Sequence, residues 1–383
     1  KIDIKYKYRL IIYKTMEPII SNLNISHNNA TFTLSDVNVS IANGIRRTIM
    51  SEIPVIVCKT YPGNENDAVI TKNTSRMNNE IVKQRLSCIP IIIDDINFPI
   101  DTYILEVNET NSSDNVMVVT TEHFKIKNIQ NGQYLSREKT KTIFPPNSIT
   151  KQYIDFVRLR PKISDEIPGE SVALTCKFSI SSAKDDGMFN VTSTCVYGNT
   201  PDNDKIDAAW EKEEKEFKSK QVEGEELALE RDNFMLLQGQ RIFIPNSFDY
   251  TLDSVGIYDP VALIEKASDI IIQKCETLVK SIQENSELIQ RSNSTMSNCF
   301  DVTLQNEDYT LGKIVEYFLY TMFYENDAKL SFCGFKKIHP HDDDSIIRIA
   351  YKKEEHNETI QDDLMQACKA AIIVLNKIKT QFE

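Results

Sequence analysis

Two long stretches of this chain carry apolar residues at helical spacing, and each needs something to cover it. Ile264, Ala267, Ile271, Cys275, Leu278 and Ile282 recur at intervals of three and four, as do Ile360, Leu364, Ala367, Ala371, Leu375, Ile378 and Phe382. That spacing lays one apolar stripe along a helix. Asp259-Pro260 supplies a cap and a proline at the first helical position of the earlier helix. The later helix closes a segment, residues 299–383, whose few strands offer less apolar surface than the helix presents. Packing the two helices against each other solves the problem for both.

The residues before each helix repeat a theme. Ile19 to Ile25 and Ala30 to Leu34 read as strands. Asp36 is then the expected cap of a helix carrying Ile41, Ile45 and Ile49, Pro54 stops it, and Val55 to Cys58 reads as a short buried strand. A polar stretch from Tyr61 to Asn79 precedes a helical turn, Glu80 to Arg85, and the apolar run Ile89 to Ile93. Near the C-terminus, Phe300 to Gln305 alternates as a strand and Thr310 is the expected cap of a helix bearing Leu311, Ile314, Val315, Phe318, Leu319 and Met322. Lys329 to Phe335 and Ser345 to Tyr351 read as two more strands. Strand, short helix, strands and long amphipathic helix thus occur twice, once split and once compact. This predicts an α+β fold built as a fused pseudo-dimer.

The split comes from residues 98–245, where short strands such as Thr102 to Val107, Val116 to Thr120, Val172 to Ser179 and Phe189 to Val196 form a β-rich insert. The expected organisation is residues 16–97 with 246–283 as the first unit, 98–245 as the insert, the Ser- and Asn-rich stretch 284–298 as a linker, and 299–383 as the second unit. Within 201–232 there are 12 acidic and 6 basic side chains, so this one stretch supplies −6 of the chain's net −12. It reads as an exposed charged helix from Trp210 to Leu229, either a solvated face or an acidic docking surface. Residues 1–15 surround a short apolar Leu10-Ile11-Ile12, too brief for a signal peptide. Their place in the mature chain is left open, with Met16 the alternative start.

Charge and motif content narrow the function. An excess of 56 acidic over 44 basic residues argues against a chain that itself grips phosphates, and so against a free-standing DNA-binding regulator. No apolar run approaches the ~18 residues of a membrane span, which predicts a soluble, non-secreted protein. The eight cysteines include no pair closer than 19 residues, which excludes local zinc knuckles and CxxC redox motifs and predicts reduced, mainly buried thiols. Phosphate-binding glycine loops, nucleophile elbows and Asp-rich magnesium loops are all missing from the sequence. The expectation is a non-catalytic protein with no cofactor and no metal. A rival reading is a stand-alone metal-dependent hydrolase using His339, His341 and His356, since His339-Pro340-His341-Asp342-Asp343-Asp344 is rich in metal-ligand side chains. Those residues also make a good exposed turn between two strands. Arg46 and Arg47 lie about 100° apart on an otherwise apolar helix, so at least one points away from the sheet. A guanidinium so placed suits capture of a carboxylate or carbonyl on another protein.

Five segments then resemble a known family in order along the chain. Asn43-Gly44-Ile45-Arg46-Arg47-Thr48-Ile49-Met50-Ser51-Glu52-Ile53-Pro54, Arg85-Leu86-Ser87-Cys88-Ile89-Pro90-Ile91 and the strand Phe248 to Gly256 are similar to the alpha-like subunits of multisubunit DNA-dependent RNA polymerases, in the form of the third subunit of the eukaryotic enzyme. Glu307-Asp308-Tyr309-Thr310-Leu311-Gly312 and Phe332 to His341 resemble its partner, the eleventh subunit. The resemblance implies two alpha-like dimerisation units in one polypeptide, as in polymerases of large nucleocytoplasmic DNA viruses. It implies an assembly platform for the largest and second-largest subunits and contacts to other small subunits, with DNA met only through the complex and no homo-oligomer. If the chain is viral, its place is the virion and the cytoplasmic viral factory of the host. Arg46 and Arg47 match the family's arginine pair, the second being its contact to the second-largest subunit. Ile41, Ile45, Ile49, Leu311, Ile314, Val315, Phe318, Met322, Leu364, Ala371 and Leu375 are the expected pseudo-dimer interface. Two departures stand out: the family's clustered zinc cysteines are replaced by isolated Cys176 and Cys195, and Ser87 stands where a glycine is usual.

Overall fold

A computed structural model describes residues 16–164 and 166–382, so the leader 1–15 lies outside the described residues. The chain divides into two units: residues up to Thr48 with Thr194–Asp253 and the chain from Pro260 onward, and Ile49–Ser193 with Ser254–Asp259.

In the first unit, β1 (Ile19–Ser26) turns back into β2 (Asn29–Ser35) and the chain enters α1 (Val39–Ser51). The cap of α1 is Asn38, whose Oδ1 accepts the Ser40 amide at 2.9 Å. Asp36 adopts a left-handed φ of 55° instead, and its carboxylate accepts the Glu17 amide, which corrects the expected cap. Next come β3 (Thr192–Pro201), α2 (Asn203–Ser219), α3 (Glu225–Leu236) and β4 (Phe243–Ser254). The single helix expected over 210–229 is broken at Gly224, whose φ of 64° favours glycine. The two pieces fold back on each other to bury Ile206, Trp210 and Phe234. The sheet order is β1-β2-β4-β3, with Phe32 opposite Tyr250 and Leu34 opposite Phe248 in an antiparallel register. Ala30, Phe32, Leu34, Phe248, Tyr250 and Leu252 alternate inward to make its buried face.

α4 (Pro260–Glu284) follows, with its whole predicted apolar stripe buried. The expected linker is partly ordered into the fold: β5 (Ile289–Arg291) pairs with β6 (Cys299–Leu304), because Leu288 and Ile289 gain burial by joining that sheet. The chain continues through α5 (Tyr309–Leu319), a π-helical turn Tyr320–Asn326, β7 (Leu330–Lys336), β8 (Ser345–Tyr351) and α6 (Asn357–Thr380). The second sheet runs β5-β6-β8-β7. Asp308, not Thr310, caps α5, its carboxylate accepting the Thr310 amide at 2.8 Å. Within α6, Asp363 is buried and receives both Lys329 Nζ at 2.7 Å and the Tyr351 hydroxyl at 3.0 Å, pinning the helix to its own sheet.

The second unit holds a four-stranded antiparallel sheet of Ala68–Asn73, Ser171–Lys177, Tyr103–Thr110 and Lys125–Asn128, in that order. Its first strand lies inside the polar stretch Tyr61 to Asn79, since an edge strand exposes most of its side chains. The boundaries expected at 97/98 and 245/246 also move. Ile56, Ala68, Val82, Leu86 and Ile91 share one core with Leu105, Phe156 and Leu174, so residues 49–97 pack with the strands that follow them. Arg85 reinforces this by donating to the carbonyls of Phe156 at 2.7 Å and Asp155 at 2.8 Å. Ser87 uses its hydroxyl at the usual glycine position, donating to the Cys58 carbonyl at 2.8 Å beside Thr60. Among the described residues, no helix is long and apolar enough to cross a membrane.

Candidate subunit interface

α4 and α6, the two helices that the sequence singled out, pack along each other within the first unit. Gln361 near the start of α6 donates to the Ile282 carbonyl near the end of α4 at 2.8 Å, and Lys379 near the end of α6 pairs with Asp269 at 2.5 Å. The two helices therefore run antiparallel. Cys275 and Cys368 are both buried, and their neighbouring thiols and burial push the Cys275 pKa well above its ordinary value. The far end is closed by Phe382, which meets Phe32 of the first sheet edge-on with ring centroids 5.3 Å apart.

α1 and α5 make the second contact, and it turns on Gly44. A Cβ placed there would lie 2.8 Å from Ile314 Cδ1 and 3.8 Å from Ile271 Cδ1. Glycine in a helix interior costs about 1 kcal/mol against alanine, so its presence is explained by this close approach. Every residue of the expected pseudo-dimer interface, Ile41, Ile45, Ile49, Leu311, Ile314, Val315, Phe318, Met322, Leu364, Ala371 and Leu375, is buried. Ile314 is the member placed directly against α1. Ile49 falls past the division of the chain and belongs to the second unit.

The two arginines diverge as the helical geometry requires. Arg46 Nε donates to Asn43 Oδ1 at 3.0 Å, and its charge acts on Cys195, Tyr197 and Tyr250 of the first sheet. Arg47 reaches the start of α5, where its Nη2 meets Asp308 Oδ2 at 2.6 Å and its Nε donates to Thr310 Oγ1 at 2.9 Å. Asp308 thus serves two ends, the helix cap and the guanidinium. Partial burial pulls its carboxyl upward, but the Thr310 amide and the Arg47 charge outweigh that, and its pKa lies below the ordinary aspartate value. The side chains of Arg47 and Asp308 each remain 37% exposed, so the pair stays open to a further acceptor from outside. Close by, Lys274 of α4 pairs with Glu307 at 2.9 Å.

Sequence reading missed Asp308, Gly44 and the buried Asp363. The first two had a signal: an Asp-x-Thr at a helix start, and a glycine inside an apolar helix. Asp363 had none, because its partners come from two other elements.

The three histidines do not form the ligand set of a hydrolase. His339 and His341 sit on an exposed turn with ring centroids 5.0 Å apart, where His339 Nδ1 accepts the His341 amide, and His356 lies exposed at the start of α6. Among the described residues, no group of three or more His, Cys, Asp or Glu side chains is arranged to hold a metal ion.

Strand hairpin, short helix, interrupted sheet and long helix make a mixed α+β fold. Residues 31–275 match the RNA polymerase Rpb3/Rpb11 dimerisation domain, and the chain belongs to that family. It is 23% identical over 280 residues to the DNA-directed RNA polymerase II subunit RPB3 of Schizosaccharomyces pombe, covering 70% of this chain and 88% of the relative. It is 28% identical over 83 residues to the corresponding rpb3 subunit of Dictyostelium discoideum, covering 22% of this chain and 25% of that protein.

Proposed function

We propose that this chain is a non-catalytic assembly platform of a DNA-directed RNA polymerase, in which two alpha-like partners are fused into one intramolecular pseudo-heterodimer. The observation that carries the reading is the family match over residues 31–275 combined with what lies beyond it. The match ends within α4, and the remaining chain supplies a second sheet, α5 and the long α6 that covers α4. Fusion makes pairing intramolecular, at an effective concentration on the order of millimolar, and fixes a one-to-one ratio of the two partners.

On this reading α1 is the side offered to the large subunits, with Arg46 and Arg47 as the contact residues. Arg47 is held by Asp308, so the platform presents its arginine only when the two partners are together. The largest, second-largest and other small polymerase subunits are the partners, and DNA is met through them. Fusion of the two partners also supports an origin in a large DNA virus, with the protein in the virion and in the cytoplasmic factory of the host. The test is affinity purification of the tagged chain from cells that make the polymerase. Recovery of both large subunits is the expected result, and their absence would overturn the proposal.

A further inference from the structure

The hairpin of α2 and α3 is far larger than the sheet requires. β3 and β4 are neighbours in the sheet, and at their ends the Asp202 amide donates to the Ile242 carbonyl at 3.2 Å, so the chain leaves and returns at one point. Adjacent strands are commonly joined by about 2–5 residues. Here residues 203–241 intervene, and they bring their own small core of Ile206, Trp210 and Phe234. The sheet does not need the hairpin, and the hairpin carries its own packing.

α3 has leucine on two sides. Leu227 packs against the small core, while Leu229 and Leu236, seven residues apart and so on one face, are 60% and 72% exposed. Glu225 and Asp232 lie on that same outward stripe by helical spacing. The helix as a whole carries four carboxylates, Glu225, Glu226, Glu230 and Asp232, against the single cation Arg231. An isolated surface leucine needs no explanation, but two on one stripe between carboxylates make a face with a defined complement.

We infer that this face is a docking surface for a basic, amphipathic protein segment, whose apolar residues cover Leu229 and Leu236 while its Lys or Arg side chains meet Glu225 and Asp232. Charge selects the occupant. A second copy of this chain would present the same carboxylates and be repelled, as would an acidic segment. The inference stands on the hairpin alone and goes beyond the polymerase reading.

The test uses the purified full chain and a fluorescent amphipathic helical peptide of leucine and lysine, with a leucine and glutamate peptide as its counterpart, followed by anisotropy. The lysine peptide is expected to bind, more weakly as salt rises, and the glutamate peptide is not. Leu229→Ser with Leu236→Ser, and separately Glu225→Lys with Asp232→Lys, are each expected to weaken binding by about tenfold or more. Ile149→Ser, at a position 87% exposed in the other unit, is expected to change nothing. All substituted positions are exposed, and an unchanged circular dichroism spectrum checks folding. The inference is overturned if the lysine peptide fails to bind, if both hairpin variants bind it as the parent does, or if the two peptides bind alike. Self-association that Leu236→Ser abolishes would overturn it in favour of a second copy.

Discussion

The contact between Gly44 and Ile314 gives a quantitative test of how the N- and C-terminal parts of the first unit fit together. Gly44→Ala brings two opposed terms. Removing a helix-interior glycine is worth about 1 kcal/mol in favour of the variant. Against it, the new Cβ would lie 2.8 Å from Ile314 Cδ1, well inside the ~3.5–4.0 Å of an ordinary carbon contact. Ile314 is fully buried, so its end cannot swing into solvent, and overpacking of this kind costs about 1–3 kcal/mol. The net effect of Gly44→Ala alone is therefore between about zero and 2 kcal/mol of destabilisation. Ile314→Val removes the offending Cδ1 at a cost of about 0.5–1.5 kcal/mol. In that background Gly44→Ala fits, and only the propensity gain remains, so alanine becomes stabilising by about 1 kcal/mol. A double-mutant cycle by urea unfolding should then give a coupling energy of about 1–3 kcal/mol. Additivity within about 0.5 kcal/mol would show that the two residues do not meet and would refute the argument.

Other expectations follow from the same geometry. Asp308→Asn keeps a competent helix cap but loses the Arg47 ion pair, whereas Asp308→Ala loses both; thermal unfolding should rank parent above Asn above Ala, with the cap worth about 0.5–2 kcal/mol. Because the folded Asp308 pKa is depressed, its contribution is present above the unfolded value near ~3.9 and is lost as pH falls through the lower folded value. The stability gap between parent and Asp308→Asn should therefore stay flat from about pH 7 to 5 and close only in stronger acid. Asp363→Ala strips the buried partner of Lys329 and Tyr351 and is expected to cost about 3–5 kcal/mol in urea unfolding. Arg47→Glu sets a carboxylate against Asp308 and so lowers stability, but with the chain still folded by circular dichroism it should weaken recruitment of the second-largest subunit, by about 2–5 kcal/mol where that contact is buried in the complex; unchanged co-purification would count against the contact.

Helical periodicity was legible because it is local: the stripes Ile264 to Ile282 and Ile360 to Ile378 are buried along their length, and the strands before them fall close to where alternation placed them. Errors arose where the outcome depends on distant partners. Residues 49–97 follow the first strand hairpin and α1 in sequence, yet their isoleucines share a core with Leu105, Phe156 and Leu174. Ile289 lies in a Ser- and Asn-rich stretch, yet it completes a sheet edge opposite Val302. Capping showed the same limit on a smaller scale. Asn38 and Asp308 each sit two residues from the position expected, because several side chains near each helix start have the right chemistry and backbone geometry chooses among them. Helix geometry alone required at least one of Arg46 and Arg47 to face away from the sheet, but the hold of Asp308 on Arg47 depends on residues 261 positions apart in the chain.

If this chain alone forms the platform on which the catalytic subunits assemble, it binds the second-largest subunit with no other partner present. The direct measurement mixes the purified full chain with the purified second-largest polymerase subunit and weighs the complex by analytical ultracentrifugation. A one-to-one complex, weakened by Arg47→Glu and lacking nucleotide-polymerising activity until the largest subunit is added, is the predicted result. Failure to bind that subunit, or polymerising activity from the chain by itself, would rule out a non-catalytic platform.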